Sequence, residues 1–123
     1  MLHEELTEKI IESFYLVYNK LGYGFLESVY ENALLIELKR QGLNVVNQVP
    51  IEVQYRNQKV GTFFADVLVE EKVILELKSS RKLLQEHEFQ LINYLRATNI
   101  EVGLLFNFGK KPEFKRKIFS NKS

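Results

Sequence analysis

Cysteine is absent from the chain and histidine occurs only twice, as His3 and His87. No disulfide scaffold, thiolate zinc site or cysteine nucleophile is available, and a histidine-rich metal centre is excluded too. No apolar run approaches the roughly 18–20 residues that span a bilayer. The first residues, Met1-Leu2-His3-Glu4-Glu5, are acidic where a secretory leader would be basic. These absences predict a soluble, cytoplasmic protein with no membrane partner. What remains is 123 residues, 46% hydrophobic and 27% charged, enough for one packed core and too ordinary in charge for wholesale disorder. The expectation is one domain over residues 1–123.

The net charge of +1 is unevenly spread. Residues 1–40 carry seven acidic and four basic side chains, whereas residues 110–123 carry one acidic and six basic. The basic tail over about 110–123 can meet phosphate, through Lys115, Arg116 and Lys117 among others. A solvated, solubilising tail is the simpler reading of the same residues.

Apolar residues at Leu6, Ile10, Phe14, Val17 and Leu21 recur at spacings of three and four, which predicts a helix over 4–20. Gly22 and Gly24 end it. A second helix is expected over about 26–41, closed by Gly42. The period then changes to two. Ile51, Val53 and Tyr55 predict a half-buried strand, followed by a polar turn at 56–59 and strands at 60–69 and 73–79. A helix at about 85–98 is expected to pack Phe89, Ile92 and Leu95 inward. Val102 to Phe108 reads as a strand buried on both faces, with a short edge strand at Ile118 and Phe119. The order ααβββαβ is an α/β (α+β) arrangement, a mixed sheet covered by helices.

The hairpin around Glu70-Glu71-Lys72 carries the chemistry. With Val69 facing Val73, Asp66 falls opposite Glu76 and Phe64 opposite Lys78. Side chains alternate along a strand. Asp66, Glu76 and Lys78 therefore share one face, and Phe63, Ala65, Val67, Val69, Val73, Leu75 and Leu77 form the core face. Two carboxylates with Cβ atoms about 5 Å apart repel. Lys78 can balance them as an ion pair, or a hard divalent cation can, with the Leu77 carbonyl as a further oxygen ligand. In the second case Lys78 would orient the attacking water or face charge on a phosphate. Gln90 and Tyr94, spaced i, i+4, share a helix side and can donate to such a site, although by spacing alone a pair that faces solvent is the simpler reading. His87 at that helix start reads as a capping or packing residue. Arg81 and Lys82 add cations beside the hairpin.

Several segments resemble a known family. Gly24-Phe25-Leu26-Glu27-Ser28-Val29-Tyr30 looks like the signature of GxxExxY proteins. Ala65-Asp66-Val67-Leu68-Val69, Ile74-Leu75-Glu76-Leu77-Lys78, Gln90-Leu91-Ile92-Asn93-Tyr94-Leu95 and Gly103-Leu104-Leu105-Phe106-Asn107-Phe108-Gly109 are similar to that family too. The family is placed in the PD-(D/E)XK nuclease superfamily. The resemblance implies a restriction-endonuclease-like αβββαβ core with an extra N-terminal helix. It implies that Asp66 and Glu76 ligate Mg²⁺ or Mn²⁺ and that Lys78 assists the attacking water. Glu27 matches an acidic helix residue that often completes the metal site. A structural role at the helix N-terminus would equally place it there. Gln90 and Tyr94 resemble a Q-x3-Y motif that orders the site or contacts nucleic acid. Ala65 stands where the superfamily name has proline.

The expected activity is metal-dependent phosphodiester hydrolysis of DNA or RNA, without sequence specificity, since the chain has no room for a separate reading domain. Arg81, Lys82, Lys115, Arg116 and Lys117 would position the backbone. Two-fold symmetry would suit a nuclease acting on two strands, so a homodimer is an expectation. The competing reading is a catalytically silent nuclease-fold module that serves dimerisation or protein binding, motivated by the near-neutral charge.

Overall fold

The computed structural model describes residues 2–120. Lys122, counted above with the basic tail, lies outside them. The elements are α1 (Glu4–Leu21), α2 (Glu27–Arg40), β1 (Val45–Tyr55), β2 (Gln58–Val69), β3 (Val73–Lys78), α3 (Gln85–Arg96), β4 (Val102–Phe108) and β5 (Pro112–Ile118). The bounds of the helices and of β2, β3 and β4 lie close to the expected ones. The strands form one mixed sheet in the order β1-β2-β3-β4-β5. Only β3 and β4 are parallel, as a strand–helix–strand crossover through α3 requires.

Both sheet faces are covered. On one, Ile10, Phe14 and Val17 of α1 and Tyr30, Leu34 and Leu38 of α2 pack on Val73, Leu75 and Leu77 of β3 and on Val102, Leu104, Phe106 and Phe108 of β4. Phe14 stacks on Phe106 at 4.3 Å between ring centroids, and Tyr30 stacks on Phe108 at 4.2 Å. On the other face Leu91, Tyr94 and Leu95 of α3 pack on Ile74 and Leu105. Burial on both sides explains why β4 reads as a continuous apolar run.

Three expectations about secondary structure and faces are corrected. First, the basic segment is not a tail ending in a short edge strand. It is β5, paired antiparallel with β4 from Phe108↔Pro112 to Val102↔Ile118. Few of its residues are apolar, and the open edge of β4 supplies what its own pattern lacks. Second, β1 begins at Val45, six residues before the alternation becomes visible. Third, the hairpin of β1 and β2 changes faces part-way. Val45, Val67 and Val69 pack with α1 and α2, whereas Ile51 and Ala65 belong to the α3 cluster. Phe63 is therefore not a core residue beside Val67. It is 39% exposed and leans on Tyr94 of α3, with ring centroids 5.2 Å apart.

The change of face has a local cause. Gln48 has φ 51°, a left-handed conformation that a non-glycine residue rarely adopts within a strand. Its neighbours pair as Asn47↔Val67 and Val49↔Ala65, so Gln48 lies opposite Asp66. The hairpin bends there and its outer half curls over α3. The Glu31 carboxylate of α2 accepts from Gln48 Nε2 at 3.0 Å and from Asn47 Nδ2 at 3.4 Å, which fixes the bend against α2.

Candidate metal centre

The bend opens the sheet between β2 and β3. Their ladder has three pairs, Val69↔Val73, Leu68↔Ile74 and Val67↔Leu75, in the predicted register. One step on, β2 departs, and the expected facing of Phe64 and Lys78 is not made. Side chains replace the missing ladder. The Asp66 N–H donates to Glu76 Oε1 at 3.2 Å, and the Leu77 N–H donates to Asp66 Oδ2 at 2.7 Å. Each carboxylate thus spends one oxygen on a backbone N–H. Within a strand, the N–H and C=O of one residue point to the same side. The Leu77 carbonyl therefore faces the same gap.

Glu76 is 4% exposed. Burial, and next the Asp66 charge, push its carboxyl up to about 9, against weaker lowering by the Asp66 N–H and by Lys78. Without a cation the pair retains a proton near neutral pH. Lys78, half-buried on the same face, makes no ion pair within 4 Å among the described residues. A lysine so placed lessens the repulsion without cancelling it.

Tyr94 is buried beside the carboxylates. Its phenol is pushed up to about 12, by burial first and then by the charges of Glu76 and Asp66. It keeps its proton and accepts from Gln90 Nε2 at 3.1 Å. Thus Gln90 and Tyr94 do form a pair, at the edge of the acidic site. The inward face of α3 is rotated from the expected one. Leu91, Tyr94 and Leu95 are buried, whereas Phe89 is 59% exposed and Ile92 is half-buried. His87 has the expected capping role, since its Nδ1 accepts from the Leu84 N–H at 3.1 Å.

Glu27 is the first residue of α2 and is exposed. By helical spacing it shares the sheet-facing side of α2 with the buried Leu34 and Leu38. It makes no hydrogen bond or ion pair among the described residues, and no three of Asp, Glu, His and Cys there converge as metal ligands. Tyr30 is structural, as its stacking shows; its hydroxyl donates to the Gly22 carbonyl at 2.6 Å. Arg81 and Lys82 are exposed in the loop before α3. Arg116 donates to the Leu2 carbonyl and Lys117 pairs with Glu88, so both have protein partners, and Lys115 and Lys117 face α3.

One site residue escaped the sequence reading. Asn107 is fully buried at the end of β4, beside Lys78 of β3. It holds the backbone of Ser80, two residues after the acidic strand ends. Its signal was a lone amide inside the run Leu104-Leu105-Phe106-Asn107-Phe108.

The donor set fits a hard divalent cation. Two carboxylates and a carbonyl offer oxygen alone, with no imidazole or thiolate. A cation there would displace the proton that the pair otherwise retains.

No curated protein matches the chain. Among solved structures, the crystal structure of SSO0001 superposes with a TM-score of 0.62 at 21% identity. The match covers 98% of this chain and 60% of that one, so this chain spans about three-fifths of its relative's length. That likeness concerns the fold. The PD-(D/E)XK nuclease superfamily matches residues 4–117. With the gap between β2 and β3 flanked by Asp66, Glu76 and Lys78, and with nearly the whole chain matched, the chain belongs to the PD-(D/E)XK nuclease superfamily.

Proposed function

We propose that the protein is a Mg²⁺- or Mn²⁺-dependent phosphodiesterase acting on nucleic acid, without sequence specificity. The observation that carries this reading is the pair Asp66 and Glu76, joined through backbone N–H groups at a break in the sheet. Asp66, Glu76 and the Leu77 carbonyl would hold the ion, with Glu27 reaching in from α2. When bound, such an ion supplies a Lewis acid that makes water a nucleophile near neutral pH. Lys78 orients the attacking water and faces the negative charge on the phosphate. Tyr94 keeps its proton and, with Gln90, orders the edge of the site. Arg81, Lys82 and Lys115 contact the substrate backbone, and Arg116 and Lys117 support that surface through their protein partners. The segment Gly24, Glu27 and Tyr30 supports placement among GxxExxY proteins.

One observation favours a second reading. No third acidic ligand joins Asp66 and Glu76 among the described residues, as in a silent module that has kept the fold. A single experiment separates the two. Single-stranded, duplex and branched DNA and RNA are incubated with Mn²⁺, Mg²⁺ or EDTA, with Glu76→Ala in parallel. Metal-dependent cutting that the variant loses establishes the phosphodiesterase. No cutting, with no change in melting temperature on adding either metal, moves the assignment to the silent module.

A further inference from the structure

The rotation of α3 leaves an aromatic groove next to the acidic gap. Its volume is about 590 Å³, and Phe63, Phe89 and Tyr94 line it. Phe89 points a largely exposed ring at solvent from a helix whose opposite side is core. A single exposed phenylalanine is ordinary, but Phe63 and Phe89 exposed around one groove make an apolar patch. Tyr94 lines the groove and lies close enough to Glu76 and Asp66 to feel both charges, so the groove neighbours the acidic gap.

The polar groups in the groove suit a heteroaromatic ring. His87 Nδ1 accepts from Leu84, which leaves its proton on Nε2 as a donor. Gln90 spends Nε2 on Tyr94 and keeps its carbonyl oxygen as an acceptor. Asn93 offers both. Glu86 also lines the groove, and Asp66 and Glu76 lie behind Tyr94. The Glu86 carboxylate disfavours a phosphate in the groove itself and leaves it to a neutral ring, while the cation proposed at Asp66 and Glu76 would take the phosphate. A second cleft, of about 430 Å³, shares Phe63 and Asn93 and continues to Arg96.

We infer that this groove binds an unpaired nucleobase next to the phosphate to be cut, by stacking on Phe89 and Phe63, so that the substrate is single-stranded where it meets the site. The inference rests on the phosphodiesterase reading for the placement of the phosphate. A base within a duplex is stacked and paired on its own strand and cannot enter. Stacking on an aromatic side chain is tolerant of base identity.

The test measures binding and cutting separately. Fluorescence anisotropy of the full chain in Ca²⁺ follows labelled single-stranded DNA, single-stranded RNA, the matching duplex and a strand of abasic sites. Cutting of the same strands is followed in Mn²⁺. The expected result is that normal single strands bind more tightly than duplex or abasic strands. Phe89→Ala should weaken that binding about fivefold or more, and Phe89→Trp should restore it. The DNA and RNA arms identify which strand carries the base. Equal binding of abasic and normal strands, or unchanged binding by Phe89→Ala, overturns the base site, while Mn²⁺-dependent cutting in the same samples would leave the phosphodiesterase standing. Base-dependent binding without any cutting supports the groove and sinks the phosphodiesterase instead.

Discussion

Asn107 grips both ends of the Ser80 peptide backbone. Its Oδ1 accepts from the Ser80 N–H at 2.9 Å, and its Nδ2 donates to the Ser80 carbonyl at 2.9 Å. A side-chain amide thereby ties down the backbone two residues beyond Lys78, where the ladder of β3 and β4 ends. Gly109 lies against the same turn, and a Cβ there would stand 2.5 Å from the Ser80 carbonyl oxygen. The backbone that follows the acidic strand is thus held by a buried amide and by the lack of a side chain.

Asn107→Ala should be costly for that reason. It leaves the Ser80 N–H and carbonyl without their partner, at about 1–3 kcal/mol for a stranded buried group. Urea denaturation should show the loss. If the clamp also positions Lys78, cutting should fall by more than the change in folded fraction explains. A variant as stable as the parent would refute the clamp.

Asp66→Asn should raise the melting temperature in EDTA at alkaline pH, above about 9, where Glu76 has lost its proton. The asparagine Oδ1 can still accept from the Leu77 N–H, so the gap stays bridged, and the repulsion with Glu76 is gone. Asp66→Ala is the poorer test, because it strands that N–H. The same Asp66→Asn protein should lose the stabilisation that Mn²⁺ gives the parent, since only a ligand bound to the folded state raises stability. Unchanged Mn²⁺ stabilisation in Asp66→Asn would remove Asp66 from the ligand set.

The raised Glu76 carboxyl sets a pH dependence. Its value is about 9 in the folded chain, against an ordinary value of 4.5. The folded state therefore holds the proton more tightly than the unfolded state. The contribution to stability is fully present below about pH 4.5 and is lost as pH rises towards 9. In EDTA, the melting temperature should fall across that window, and Glu76→Gln should flatten the fall. With saturating Mn²⁺ the trend should reverse, because a metal needs the ionised carboxylates. An identical slope in the parent and in Glu76→Gln would assign the effect elsewhere.

Lys78→Met keeps the aliphatic stem and removes the ammonium. Cutting should fall by about a hundredfold or more if Lys78 acts on the water or the phosphate. Mn²⁺ stabilisation should persist, because the carboxylates are untouched. Full activity in Lys78→Met would refute the role.

The register of Asp66 and Glu76 was legible because period two leaves few choices. Sliding β2 by one residue would turn Val67 and Val69 outwards, at the cost of their burial. The short connection at Glu70–Lys72 also limits the pairing. Spacing put Gln90 and Tyr94 on one side of α3 but did not decide whether that side meets the site or solvent. The inner face of α3 was not. Phe89, Ile92 and Leu95 make as good a stripe as Leu91, Tyr94 and Leu95, and only the sheet surface opposite selects between them. Gly103 takes part in that selection, because Leu91 packs where its Cβ would be, with Cδ1 2.7 Å from that point.

Local pattern alone determined the helices, the central strands, the acidic register and the residue types of the site. Each follows from contacts a few residues apart or from side-chain alternation. The tertiary structure decided where β2 leaves β3, and with it the open gap, the burial of Glu76 and the exposure of Phe63 and Phe89. Those depend on Gln48 in a left-handed conformation, on Glu31 reaching it from another helix and on the face that α3 turns to β4. Such contacts join distant parts of the chain, and hydrophobic periodicity carries no record of them.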